Sequence, residues 1–320
     1  MIRELKLGDL QPKQFIEQKV AEISSIVGGD SALNALSGGV DSSVVTILGH
    51  RALGDHLKTY FIDSGLMRQG EPERVVSTFE RLGVNVQLVN AQSRFFSALK
   101  SIIDPEEKRE AITQTFYKDI FGEIVRESGI RFLLQGTNYT DVEETVAGIK
   151  RQHNVLDQLG IDTQKRYGYK VIEPVLELRK PAVREIAKAL GLPEEVYNRR
   201  PFPGPALAAR IIGEVTAKKV EIVRRATEIV EQELSTSAAF QFMAILHDDR
   251  VTGVREGRRE YGQQIEVRCW DTEDAKEASP TRIPYATLDR LAHRITAEVP
   301  GIASVTYNVT KKPPSTMEAI

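Results

Sequence analysis

Apolar positions along the chain alternate between two spacings, one suited to helices and one to buried strands. Phe15, Val20, Ile23 and Val27 fall close to helical spacing over residues 12–27, and Gly28-Gly29-Asp30 then reads as a helix stop and turn. Residues 32–36 (ALNAL) are a short apolar run that suits a buried strand, followed by a glycine-containing turn and a helix over 42–53. The alternation continues with a strand at 58–63, a helix at 72–83 closed by Gly83, a strand at 84–90 and a helix at 94–102. A long amphipathic helical stretch at 104–128 and a strand at 131–137 follow. This alternation predicts an α/β fold, a doubly wound parallel sheet with helices on both faces. In such sheets ligands bind beyond the carboxyl ends of the strands.

Residues 138–170 break the pattern. They are polar and carry Lys150, Arg151, Lys165, Arg166 and Lys170. An irregular stretch of this length inside a compact domain is usually functional, which predicts a lid, with a disordered insertion as the alternative. A strand at 171–175 and a helix at 179–191 restore the alternation. The run RRPFPGP at 199–205 ends regular structure and places a domain boundary between 1–200 and 201–320. Beyond it the grouping changes to a helix at 216–234, strands at 240–247, 251–255 and 263–270, a helix at 285–299 and a strand at 304–310. That grouping predicts a small α+β domain.

The segment with the clearest chemistry is Ser37-Gly38-Gly39-Val40-Asp41-Ser42-Ser43, which follows the first strand and opens a helix. A helix N-terminus offers free backbone N–H groups and the positive end of the helix dipole, so it attracts anions. Paired glycines let the backbone close around phosphate oxygens, and the serines add hydroxyl donors. The G-x-x-x-x-G-K-[ST] pattern of a Walker loop is absent. An aspartate sits inside the loop instead, and a carboxylate beside phosphates calls for a bridging cation, so Asp41 points to Mg²⁺. An N-capping turn would use the same residue types.

Composition narrows the class. No apolar run approaches the ~18 residues of a membrane span, and the N-terminal MIRELKLGDL lacks a signal-like apolar core, so a cytoplasmic enzyme is expected. The net charge of −2 does not suit a nucleic-acid binder. The only cysteine, Cys269, lies in the alternating segment IEVRCW and suits a small buried hydrophobe.

The loop string SGGVDSS resembles the PP-loop signature of the ATP-pyrophosphatases, which transfer AMP to a substrate oxygen and release pyrophosphate. The strings FIDSGLMR (61–68), DPEEKR (104–109), QGTNYTDVEET (135–145), QHNV (152–155), RRPFPGPAL (199–207) and TKKPPSTME (310–318) resemble, in order and spacing, the synthetase part of the GMP synthase family. The resemblance covers essentially the whole chain. RPFPGPAL and KKPPSTME are its most specific strings, because other PP-loop families lack that carboxy-terminal domain. The glutaminase domain that precedes this part in two-domain members is missing from the front, as in the separate synthetase subunits typical of archaea.

The resemblance implies a PP-loop domain over 1–200, with the lid at about 138–170, and a dimerisation domain over 201–320 that contacts xanthosine monophosphate (XMP). It implies that Leu36, Ser37, Gly38, Gly39, Val40, Asp41, Ser42 and Ser43 hold ATP, with Asp41 and Ser42 catalytic, and that Asp63 and Gly136 line the nucleotide site. Mg²⁺ would sit on Asp41, with Asp141 and Glu144 as further candidates. XMP would be met by Arg109, Lys312, Met317 and Glu318, with Pro203, Gly204 and Pro205 shaping a nearby turn. The implied reaction adenylylates XMP and then aminates it with ammonia to give GMP, AMP and pyrophosphate. Implied partners are a separate glutaminase subunit, docked near the lid, and a second copy of the chain. The sequence departs from the family strings at Arg200, where histidine is common, at Ala206, where glycine is common, at Met317, where isoleucine is common, and in the tail Glu318-Ala319-Ile320. An ammonia-dependent NAD synthetase, a tRNA sulfur transferase and a non-catalytic adenine-nucleotide sensor are the competing readings.

Overall fold

β1 (Ala32–Ala35) lies at the centre of a five-stranded sheet of order β3-β2-β1-β4-β5, in a computed structural model that describes residues 3–146, 169–273 and 275–319. The other strands are β2 (Leu57–Asp63), β3 (Val86–Asn90), β4 (Phe132–Leu134) and β5 (Lys170–Ile172). The β1–β2, β1–β4 and β4–β5 registers are parallel. Ala32, Leu33 and Asn34 are all buried, as expected of a strand covered on both faces. Asn34 survives there because its Oδ1 accepts a hydrogen bond from Thr46 Oγ1 at 3.0 Å, and the same hydroxyl lies 2.8 Å from the Ser42 carbonyl. Helix Pro12–Val27 packs on helix Val40–Leu53, which packs in turn on helix Lys180–Ala189.

The order 3-2-1-4-5 reverses direction between β1 and β4, the switch point at which doubly wound sheets place their ligands. The helices expected at 72–83 and 179–191 occur as Glu71–Arg81 and Lys180–Ala189. The stretch at 104–128 is helical throughout, as Pro105–Thr113, a π-helical segment Gln114–Phe121 and Gly122–Ser128. The region 138–170 is less irregular at its start than its composition indicates, since Tyr139–Val146 is a helix. The rest of the expected lid, residues 147–168, falls outside the described residues.

Contacts divide the chain into two units that are not contiguous in sequence. One comprises 1–62, 72–90 and 116–199, the other 63–71, 91–115 and 200–320. Short segments that a linear reading joins to the first domain thus pack with the second.

The second unit is built on β6 (Gln241–Arg255) and β7 (Arg258–Asp271), an antiparallel hairpin turning at Glu256 and Gly257, both with positive φ. Sequence pattern alone splits β6 into strands at 240–247 and 251–255. The structure shows one strand with an irregular register between Leu246 and Arg250. Asp248, Asp249 and Arg250 fall between the two expected strands, but a bulge between Leu246 and Arg250 carries the chain through without ending the strand. β8 (Ser279–Pro280) and β9 (Ile302–Tyr307) also pair with β7, the latter in parallel. Helices Ala217–Glu233 and Tyr285–Glu298 pack on β6 and β9 respectively.

Candidate functional site

In the first unit the loop after β1 is shaped by its own side chains. Gly38 has φ +76°, which an L side chain rarely adopts, and a β-carbon there would lie 2.8 Å from Val75 Cγ2. Arg199 Nη1 donates to the Gly38 carbonyl at 2.7 Å. Ser42 Oγ donates to the Gly39 carbonyl at 3.0 Å and lies 2.9 Å from Ser37 Oγ, while the Gly39 N–H donates to Ser37 Oγ at 3.3 Å. The loop thereby curls over the start of helix Val40–Leu53, whose first N–H groups have no partner one turn earlier. Leu36 is buried and still pairs with β2, its N–H donating to the Tyr60 carbonyl at 2.9 Å. Gly136, just past β4, meets this loop. A β-carbon there would lie 3.0 Å from Ser42 N and 3.1 Å from Asp41 C.

The Asp41 carboxylate is split between two environments. Its Oδ2 pairs with Lys180, in the first turn of helix Lys180–Ala189. Its Oδ1 is buried and accepts no hydrogen bond among the described residues. An unsatisfied buried carboxylate oxygen is costly, and a cation is one group that would complete it. Ser43 Oγ is likewise buried without a partner among the described residues. Nothing in the sequence singles out Lys180, which reads there as an ordinary helix-start lysine.

Other candidates in the first unit take local roles. Asp141 Oδ2 accepts the Asn138 N–H at 3.1 Å, and Asn138 Oδ1 accepts the N–H groups of Thr140 and Asp141, so the pair caps helix Tyr139–Val146. Glu144 lies on that helix, with its side chain outside the described residues. Among the described residues, no three acidic, histidine or cysteine side chains gather to hold a metal ion.

In the second unit, Asp63 is engaged by its own turn. It accepts the Gly65 N–H at 2.8 Å and the Gln92 amide at 2.6 Å. Arg109 lies on helix Pro105–Thr113 with Glu106 3.8 Å away. Its neighbour Lys108 is fully buried and donates to the Ile211 carbonyl at 3.0 Å, and burial holds that ammonium below its ordinary pKa. The Pro203 carbonyl accepts the Ala206 N–H at 2.9 Å, and Gly204 has open space around it. Ala206 has φ +53°, so the common glycine of the family string falls at a left-handed position. Arg200 takes a structural place, donating to the Ser237 carbonyl at 2.9 Å and stacking 4.5 Å from the Phe242 ring centroid.

The tail is drawn onto the sheet. Lys312 Nζ donates to the Ala275 carbonyl at 2.7 Å. Met317 packs against Met243, Ile245, Trp270 and Ala278. The Glu318 carboxylate accepts from Gln241 at 2.7 Å and from Arg210 Nε at 3.3 Å. Arg210 is 1% exposed, with Nη1 and Nη2 lacking a hydrogen-bond partner among the described residues, and burial lowers its pKa. Periodicity gives no sign of Arg199, Arg210 or Gln241, because each acts through contacts distant in sequence.

Comparison with known proteins agrees with this two-part construction. Residues 11–207 match the model of the NAD synthase family, and residues 227–319 match that of the GMP synthase C terminal domain. Among similar proteins, a subunit of GMP synthase [glutamine-hydrolyzing] from Pyrococcus abyssi is 46% identical over 96% of this chain and 98% of its own length. The protein of the same name from Archaeoglobus fulgidus is 47% identical over 96% and 98%, and that from Methanothermobacter thermautotrophicus 44% over 97% and 99%. A glycine- and serine-rich loop at the switch point of one unit and a carboxy-terminal unit matched by its own model, together with identity of this degree over nearly the whole length, settle the relationship: the chain belongs to the family of these glutamine-hydrolyzing GMP synthase subunits.

Proposed function

We propose that this chain is the synthetase subunit of a glutamine-hydrolysing GMP synthase. It uses ATP to adenylylate the C2 oxygen of XMP, and ammonia then displaces AMP at C2. The observation that carries this reading is 44–47% identity over nearly the whole length to GMP synthase subunits of three archaea, and a glycine- and serine-rich loop at a helix start, a place suited to phosphates, supports it. The C2 oxygen is a poor leaving group, so the enzyme's task is positioning and stabilisation of phosphate charge. Ser37, Gly38, Gly39, Val40, Ser42 and Ser43 hold the departing pyrophosphate, with Leu36 and Gly136 supporting the loop from either side. Mg²⁺ suits Asp41, whose Oδ1 is buried and has no partner among the described residues, and would neutralise the pyrophosphate. Arg109, Lys312 and Glu318 contact XMP.

The relatives are named as one subunit of a glutamine-hydrolyzing enzyme, which supports a separate glutaminase partner that delivers ammonia. The exposed Val254 and Tyr261, on the β6–β7 hairpin, support a homodimer through the carboxy-terminal unit. An ammonia-dependent NAD synthetase would share the 11–207 match but would leave the 227–319 match without a purpose. ATP/pyrophosphate exchange separates the two. Exchange that requires XMP is expected, and exchange that requires nicotinate adenine dinucleotide instead would overturn the reading.

A further inference from the structure

Three consecutive carbonyls of the tail, those of Thr316, Met317 and Glu318, are held by two side chains of β7. Arg268 Nη1 donates to the Thr316 carbonyl at 3.0 Å and the Glu318 carbonyl at 3.3 Å, and Trp270 Nε1 donates to the Met317 carbonyl at 3.2 Å. Residues 266, 268 and 270 project from one face of the strand, since side chains alternate at every residue. Glu266 completes the row. Its Oε1 accepts Arg268 Nε at 2.8 Å and its Oε2 accepts Nη2 at 3.4 Å. The guanidinium is therefore held along its Nε–Nη2 edge by a carboxylate, and the remaining nitrogen is aimed at the tail. Both side chains of the pair are largely buried, at 13% and 12% exposure.

We propose that Arg268, oriented by Glu266, is a positioning residue that sets where the 312–318 tail presents its nucleotide-contacting groups. The inference rests on the reading that this tail meets XMP. Packing of Met317 against Trp270 and Met243 would keep the tail on the sheet without any arginine. What packing does not supply is register along the strand. A planar guanidinium that bridges two carbonyls two residues apart does supply it, and an ammonium, as a point donor, does not. The same register governs Glu318, whose carboxylate is shared by Gln241 and Arg210, and Lys312, whose backbone pairs with Ala278 in both directions. The groups facing the pair are His247, 2.9 Å from Glu266 Oε2, and Asp249, 3.8 Å from His247.

The test is Arg268→Lys, with Glu266→Gln as the companion variant that keeps shape and removes the orienting charge. In XMP-dependent pyrophosphate exchange, the KM for XMP should rise about tenfold, as for loss of one charge-assisted hydrogen bond, while the KM for ATP stays within about twofold. Trp270, the chain's only tryptophan, gives a readout that needs no substrate. Its fluorescence should become more accessible to acrylamide in both variants. Equal changes in both KM values, or no change in either, would overturn the inference, as would unchanged quenching in folded protein. If Arg268→Lys does not fold, Glu266→Gln decides alone by the same criteria. Failure of the wild-type chain to exchange with XMP would instead count against the proposed function, and quenching would still decide whether the clamp exists.

Discussion

A β-carbon on Gly136 would lie 3.0 Å from the main-chain nitrogen of Ser42. β4 thus delivers a residue without a side chain against the glycine- and serine-rich loop that follows β1. The two nearest atoms are backbone, which cannot swing aside as a flexible side chain can. Gly136→Ala should push the loop by a few tenths of an ångström and reduce XMP-dependent exchange on the order of tenfold, below the ~10²-fold that a ~1 Å misplacement can cost. The added methyl overpacks a partly buried loop, so Tm should fall modestly, by the equivalent of about 1–3 kcal/mol, with the fold kept. Wild-type exchange in this variant would show that the close approach has no bearing on catalysis.

Asp41 and Lys180 form an ion pair at the start of two helices, and the second carboxylate oxygen of Asp41 is left over. No hydrogen bond within the loop uses that carboxylate, so Asp41→Asn should fold normally. The variant should lose exchange on the order of 10²-fold or more, as when a preorganised group at developing charge is removed. It should also need more Mg²⁺ to reach half of its residual rate. A normal magnesium titration with normal activity would remove Asp41 from the metal's coordination.

The sheet is legible in sequence because parallel strands buried on both faces are short apolar runs, as at 32–36 and 58–63, with helices between them. The loop is legible because glycine, serine and aspartate at a strand-to-helix junction have one dominant chemistry. Lys180, Arg199 and Arg268 are not, since each acts on a residue 139, 161 or 48 positions away and no local pattern encodes such a distance. The single β6 strand escapes the sequence pattern for a related reason. Asp248 and Asp249 fall in the gap between the two expected strands, and pairing of Leu246 and Arg250 with β7 on either side carries the strand across them. The tail motif marks Glu318 by resemblance, but not the fact that Arg210 and Gln241 already hold its carboxylate.

His247 offers a test of the second unit's electrostatics. Its pKa is raised, chiefly by the hydrogen bond to Glu266 and against the opposing effect of burial. A histidine with a raised folded-state pKa contributes stability that is fully present below its unfolded value of about 6.5 and is lost as pH rises through the folded value. Glu266 has a lowered pKa, burial being outweighed by bonds from His247 and Arg268, so its contribution is present above about 4.5 and lost as pH falls through its folded value. His247→Gln should therefore lower Tm most near pH 5.5–6 relative to wild type, and the gap should close toward pH 8.5. A gap that is flat or widens with pH would contradict the charged pairing.

The isolated chain should make GMP from ammonia and not from glutamine. Glutamine hydrolysis of the covalent kind needs a cysteine thiolate exposed to substrate, with a nearby base to activate it. The only cysteine, Cys269, is fully buried in β7, and burial pushes its thiol above the ordinary pKa, so it is held protonated and out of reach. It lies opposite Phe242 in the β6–β7 register, a place suited to a small hydrophobe. Ammonia must then come from solution or from a partner. Because only the unprotonated base attacks, the rate with ammonium salts should rise with pH at fixed total ammonium until the enzyme's own groups limit it. Adding a cognate glutaminase should restore turnover with glutamine near neutral pH, where free NH₃ is scarce. The decisive mixture is pure chain, ATP, Mg²⁺, XMP and glutamine freed of ammonia. GMP formed there at the rate seen with ammonium would falsify the assignment, and Cys269→Ala would then show whether the buried thiol is responsible.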